Sequence, residues 1–348
     1  MILRVPMLAL TLGAALSGCS TTQRTTEAPP ASANLGPDSP PKTIAKVAIP
    51  APGTSREPGR ERGWNLVWAD EFDGSSIDRS KWDFDRDCWG GGNSERQCYT
   101  DRPANASVGG GLLTITARKE RFTGPSLPAS MRSASGPVAD VTKDYTSARM
   151  VTRGKASWRY GRIEVRAKLP GGQGTWPAIW MLPEDKSLGP WAASGEIDIL
   201  EAVNLGVACA GCPGGRENTI LGTLHFGGNW PKNALNSTET NAPDILDGFH
   251  TFGIVWTPGR IDWTYDGRVF ATKRRGDWWT SASSDPAAPF DRNCHLILNL
   301  AVGGGLSEER GLTGVDETIW PRTMQVDWVR VWKCQPPRGS ARSCEGER

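Results

Sequence analysis

Histidine is scarce in this chain, with 3 among 348 residues, and charge of one sign is nearly balanced by the other, leaving a formal net charge of +2 at pH 7. So even a balance provides no basic stripe for nucleic acid and no acidic tail, and nucleic-acid partners are excluded. Cys209-Ala-Gly-Cys212 has no second CxxC to join it, so the paired-knuckle pattern of a structural zinc site is missing. Long apolar runs are absent too: the run from Val5 to Leu16 is shorter than the roughly 20 residues a spanning helix needs. No stretch keeps a long helical period, and no repeat of about 20 to 50 residues recurs. Helical bundles, solenoids and multi-span membrane proteins are thereby set aside.

Tryptophan is abundant instead, with 16 residues against 8 Phe and 4 Tyr, and Gly and Pro are plentiful at 41 and 26. Indoles carry large apolar area into β cores, and their faces also stack on the C–H faces of sugar rings. Alternating patterns recur along the chain. Gly111 to Ala117 alternates Leu113, Ile115 and Ala117 with polar neighbours, and Gly161 to Leu169 alternates Ile163, Val165, Ala167 and Leu169 with charged ones. Asp266-Gly267, between Arg260 and Phe270, is a hairpin turn pair, and Leu296 to Val302 and Met324 to Trp332 add strands. The pattern predicts an all-β fold, a two-sheet β-sandwich of jelly-roll type. The segments 121–138 and 205–216, rich in small residues, are expected as surface insertions at a cleft rim.

The N-terminus has Arg4, a short apolar run and then Leu16-Ser17-Gly18-Cys19. That order reads as a secretory signal, residues 1–18. Its end resembles the bacterial lipobox, which implies lipidation of Cys19 and an outer-membrane lipoprotein facing the periplasm or the cell surface. Residues 19–62, mostly Pro, Ala, Thr and Ser, cannot bury enough surface to fold and read as a tether. A single domain is expected over 63–335, with a tail at 336–348. Export makes the cysteines disulfide candidates, and sequence proximity pairs Cys88 with Cys98, Cys209 with Cys212 and Cys334 with Cys344, leaving Cys294 as a buried thiol.

The chemistry concentrates in Gly195-Glu-Ile-Asp-Ile-Leu-Glu201. Ile197, Ile199 and Leu200 mark a buried strand, so Glu196, Asp198 and Glu201 are not ordinary solvated charges. Strict alternation places Glu196 and Asp198 on one face and Glu201 on the other. A β-bulge at Leu200 counts two residues as one and returns Glu201 to the acidic face. The two glutamate Cα atoms then stand roughly 13 Å apart. Inward-leaning side chains close that to a carboxyl separation of about 5 to 6 Å, the spacing of retaining rather than inverting glycosidases.

This strand, preceded by Gly174 to Pro183, resembles glycoside hydrolase family 16, and its bulged E-x-D-x-x-E form resembles the laminarinase-type endo-β-1,3-glucanases. Similar motifs follow in order: Trp68 to Phe72, Gly92 to Gln97, Tyr160 to Arg162, Thr223 to Phe226, His250 to Phe252, Leu298 to Gly304 and Val326 to Val331. The resemblance implies a concanavalin A-like jelly roll with an open cleft, with Glu196 as nucleophile, Glu201 as general acid/base and Asp198 between them. It further implies sugar contacts from Trp176, Trp180, Trp191, Asn93, Glu95, Arg149 and His225. No catalytic cofactor is implied. A structural Ca²⁺ is, on the Asp327 carboxylate and the backbone oxygens of Glu71 and Gly111. Two departures from the family pattern stand out: Cys98 replaces an aromatic, and Gly305-Leu-Ser-Glu308 replaces a Trp-Pro-Gly sequence. The activity expected is internal cleavage of a laminarin-like β-1,3-glucan by a monomer. Mixed-linkage β-1,3-1,4-glucan or another family 16 polysaccharide is the alternative substrate, and a non-catalytic β-glucan-binding protein the alternative class.

Overall fold

The computed structural model describes residues 63–132, 138–309 and 314–335. The signal, Cys19, the tether and the tail at 336–348 lie outside the described residues. Seventeen strands follow in order: β1 Trp64–Asp70, β2 Asp83–Asp85, β3 Gln97–Tyr99, β4 Ala106–Gly109, β5 Leu112–Pro125, β6 Asp140–Ser147, β7 Arg149–Val151, β8 Gly161–Lys168 and β9 Thr175–Pro183. After these come β10 Glu196–Glu201, β11 Thr219–Gly227, β12 Asn233–Asn241, β13 His250–Thr257, β14 Arg260–Tyr265, β15 Arg268–Arg274, β16 Cys294–Val302 and β17 Arg322–Cys334. Among the described residues one short α-helix, α1 Gly305–Glu309, precedes β17.

The strands form two sheets. A seven-stranded sheet has the order β12-β11-β10-β9-β16-β7-β2, and a ten-stranded sheet has the path β15-β14-β13-β8-β17-β5-β6-β3, with β1 on β17 and β4 on β5. The alternation foreseen in β8 is realised: Ile163, Val165 and Ala167 are fully buried. They join one core with Ile179 and Met181 of β9, Leu296, Leu298 and Leu300 of β16, and Trp256 and Trp263 from β13 and β14. Burial of so many apolar faces between two sheets holds the sandwich together. The expected all-β jelly-roll class is borne out. At the β14–β15 hairpin Asp266 and Gly267 both have positive φ, 48° and 75°, as a type I′ turn requires.

Residues 121–125 depart from expectation. β5 continues through Arg121 to Pro125 because β6 pairs with it, Thr142 opposite Thr123 and Val141 opposite Gly124. A partner strand from elsewhere in the chain thus overrides a locally weak composition. Cys88 bonds Cys98 and Cys209 bonds Cys212, while Cys294 is free and buried. Cys334 is also disulfide-bonded, and its expected partner, Cys344, lies outside the described residues. No helix among the described residues is long and apolar enough to cross a membrane.

Candidate active site

β10 is an inner strand of the seven-stranded sheet, between β9 and β11. Ile197 and Asp198 pair with Met181 and Trp180, after which the register breaks and Leu200 and Glu201 pair with Ile179 and Ala178. Against β11 the same break falls between Asp198, opposite Thr223, and Glu201, opposite Leu221. Ile199 and Leu200 are both buried in the core, so two successive residues point inward. Glu201 therefore returns to the face that carries Glu196 and Asp198, as a β-bulge demands. Residues opposite one another share a face, which sets Trp180 and His225, the partners of Asp198 and Glu196, on that side as well.

Two indoles grip the two glutamates. Trp191 Nε1 donates to Glu196 Oε2 at 2.8 Å, and Trp176 Nε1 donates to Glu201 Oε1 at 3.1 Å. Trp191 is 38% exposed and Trp176 only 7%, so the former alone has a broad face open to a ligand. His225 Nε2 lies 3.3 Å from Asp198 Oδ2 and 3.8 Å from Glu196 Oε1, ion-pair distances without hydrogen-bond geometry to Asp198.

Burial raises the pKa of all three acids, since a desolvated carboxylate is costly. Asp198 is pushed up to about 7 by burial and then by the charge of Glu196, and Glu201 to about 8 by burial and then by the charge of Asp198. Glu196 is raised by burial, with His225 and the Trp191 hydrogen bond opposing and the Glu201 charge adding. Burial alone would lower His225, but its contact with Asp198 and the three acidic charges outweigh that and carry it up to about 10. A protonated imidazole thus supplies the cation among these acids. Glu196, Asp198 and His225 present donor atoms within 4.8 Å of one another.

A second cluster flanks the strand. Glu95 is 4% exposed, and its carboxylate accepts hydrogen bonds from Gln97 Nε2 at 2.6 Å, Tyr99 Oη at 3.2 Å and Asn93 Nδ2 at 3.3 Å. Arg149 lies 3.9 Å from the same carboxylate and stacks over Tyr99 at 4.4 Å and Trp180 at 5.3 Å. Asn299 closes the network, donating to Tyr99 Oη at 3.1 Å and accepting from Trp180 Nε1 at 2.7 Å. Trp180 is half-buried and on the acidic face. Asn93 is exposed, whereas Glu95 and Arg149 are buried and hold one another. Tyr99, Gln97 and Asn299 were not singled out from sequence. Only their places inside the motifs around Glu95 and Leu298 could have flagged them.

Both departures from the family pattern have structural roles beside this cluster. Cys98 forms its disulfide from within β3. The Gly305 segment becomes α1, anchored by a two-pronged ion pair from Arg96 to Glu308 at 2.8 and 2.7 Å and by Gly305 N–H to the Asn93 carbonyl at 2.8 Å. Asp327 belongs to the other sheet. Its carboxylate pairs with Arg166, and the Glu71 carboxylate pairs with Arg330 through two bonds of 2.8 Å.

The family model for glycosyl hydrolases family 16 matches residues 95–330. A glucan endo-1,3-beta-glucosidase A1 from Niallia circulans is 39% identical over 295 residues, 81% of this chain and 40% of that protein. A beta-glucanase from Rhodothermus marinus is 40% identical over 284 residues, 78% of this chain and 85% of its own length. Among solved structures, the laminarinase from Rhodothermus marinus aligns with a TM-score of 0.62 and 39% identity, covering 78% of this chain and 98% of that one.

Proposed function

The chain belongs to glycosyl hydrolases family 16, a family of retaining hydrolases that need no catalytic cofactor, and from that premise we propose that it cleaves internal β-1,3 bonds of a laminarin-like β-glucan. The observation that carries the reading is the bulge in β10, which gathers Glu196, Asp198 and Glu201 on one face. Glu196, its charge supported by His225 and the Trp191 N–H, attacks the anomeric carbon. Glu201, with its pKa near 8, holds a proton at neutral pH and delivers it to the departing glycosidic oxygen. The same carboxylate, now ionised, takes a proton from the water that hydrolyses the glycosyl-enzyme. Asp198, sandwiched between them, sets how readily each one changes charge. Trp191 and Trp180 present indoles to the sugars, and Asn93 reaches them from the rim, with Arg149 and Glu95 bracing the wall behind.

Reducing-sugar release from laminarin, barley β-glucan, agarose and carboxymethylcellulose tests this reading, beside Glu196→Gln and Glu201→Gln. Laminarin is expected to be the best polymer, and each variant to lose at least about a thousandfold in kcat. No release from any polymer by folded protein would move the reading to a glucan-binding protein. Preference for barley β-glucan would move it to a mixed-linkage enzyme.

Two further parts of the proposal rest on chemistry outside this face. Asp70, the last paired residue of β1, is opposite Val329, and Leu113 of β5 is opposite Val326, a register that supports a shared site for Glu71, Gly111 and Asp327. One carboxylate and two carbonyl oxygens suit Ca²⁺ in kind, and a bound ion would take the Asp327 carboxylate from Arg166. Lipid anchoring at Cys19 would hold the domain at a membrane, and the disulfides of the folded domain agree with an oxidising compartment.

A further inference from the structure

Trp263 has no place in the cleft. It sits on β14 in the ten-stranded sheet, its side chain is fully buried, and it faces the back of the catalytic strand across the core. Its indole Nε1 donates to the backbone carbonyl of Asp198 at 2.7 Å, a cross-sheet bond between residues 65 apart in sequence. That carbonyl belongs to the last residue before the register breaks on both sides of β10. A bulge locally disrupts ladder hydrogen bonding, and a buried carbonyl there needs a donor.

The neighbouring strand leaves room for this indole. Gly222 of β11 lies opposite the two-residue bulge, between the partners of Asp198 and Glu201. A Cβ on Gly222 would stand 2.4 Å from Trp263 Cδ1 and 2.8 Å from its Nε1, far inside contact distance. Its φ is not in the left-handed region, so the need is for space rather than for backbone freedom.

We infer that Trp263, seated against Gly222, is a positioning residue for catalysis: its N–H holds the β10 bulge in register and so keeps Glu201 on the same face as Glu196. The inference rests on the hydrolase reading above. The physical stake is the period of two along a strand, since a one-residue slip would carry Glu201 to the core face. A loosened bulge would misplace the acid while leaving Glu196, on the other side of Asp198, in its ladder. Proton delivery to the leaving group would fail before nucleophilic attack does.

The test compares three variants of the full chain: Trp263→Phe, which deletes the N–H and keeps an aromatic ring; Gly222→Ala, which displaces the same ring from another strand; and Trp256→Phe. The last removes an equally buried indole N–H, donated to the Phe290 carbonyl at 3.1 Å rather than to any carbonyl of β10. For Trp263→Phe and Gly222→Ala, kcat/KM on laminarin is expected to fall about tenfold to a hundredfold, as a displacement of about 1 Å from productive geometry does. On a dinitrophenyl glycoside of a laminarin oligosaccharide, whose leaving group departs unprotonated, the fall is expected to stay below about threefold. The alkaline limb on laminarin is expected to move to lower pH as Glu201 becomes more hydrated and separates from Asp198. Trp256→Phe is expected to lower the melting temperature without the split between substrates.

Equal losses on both substrates, or the same split in Trp256→Phe, would overturn the assignment by reducing it to general loosening of the core. Full laminarin activity in folded Trp263→Phe would overturn it outright. If Trp263→Phe fails to fold, Gly222→Ala decides on the same criteria. An inactive wild type would remove the hydrolase reading itself, and the inference with it.

Discussion

Asp198 stands between the two glutamates on β10, and its charge acts on Glu201. Burial is the first reason Glu201 keeps its proton, and the charge of Asp198 is the second. Asp198→Asn removes that charge, so the Glu201 pKa falls and the alkaline limb of kcat/KM on laminarin moves to lower pH. At neutral pH the variant is expected to lose about tenfold to a hundredfold, because less of the acid is protonated. A pH–rate profile checks both effects, and an alkaline limb that does not move would mean Glu201 is not the group titrating there. His225 opposes Asp198 in this balance, sharing its charge at 3.3 Å. The indoles show the reach of sequence reasoning at this scale. Their types suited both a core and a sugar site, but that Trp176 gives its N–H to Glu201 and Trp191 to Glu196 follows only from where β9 and the 184–195 loop run.

At the scale of the element, β10 is a strand whose value lies in its irregularity. The acid spacing was enough to require a bulge, because three carboxylates among β-branched residues have no other way to share a face. What holds the bulge was not legible: Trp263 is on the opposite sheet and Gly222 on the next strand. β17 poses a second question of this kind. Its Asp327 lies between the β17 residues that pair with the ends of β1 and β5, and its carboxylate is paired with Arg166. If Ca²⁺ binds there, 1 mM Ca²⁺ against excess chelator is expected to raise the melting temperature. The stabilisation is about 2.7 kcal/mol when free ion is about a hundredfold above its dissociation constant. The shift is expected to vanish in Asp327→Asn. Equal melting temperatures for the wild type in the two buffers would leave Asp327 as an ion-pair partner only.

Across the whole molecule, the acids lie on an inner strand of the seven-stranded sheet, with two strands on one side of β10 and four on the other. Anchoring would add a place to the activity. Cys19→Ala in the native host is expected to move the protein from the membrane fraction to the soluble exported fraction, read by fractionation and blotting. Unchanged membrane association would remove the lipid anchor from the proposal.

The sequence by itself determined the all-β class, the acids and the need for a bulge, because side-chain alternation is a local property with a period of two residues. It also supplied the pairing of Cys88 with Cys98 and of Cys209 with Cys212, where proximity along the chain coincides with proximity in space. Only the tertiary structure decided that β5 runs on to Pro125, that Glu95, Tyr99, Arg149 and Asn299 form one buried network, and that Trp263 meets Asp198. Those contacts join strands far apart in sequence. Their partners are chosen by which sheets pack and in what register, and no local pattern carries that information.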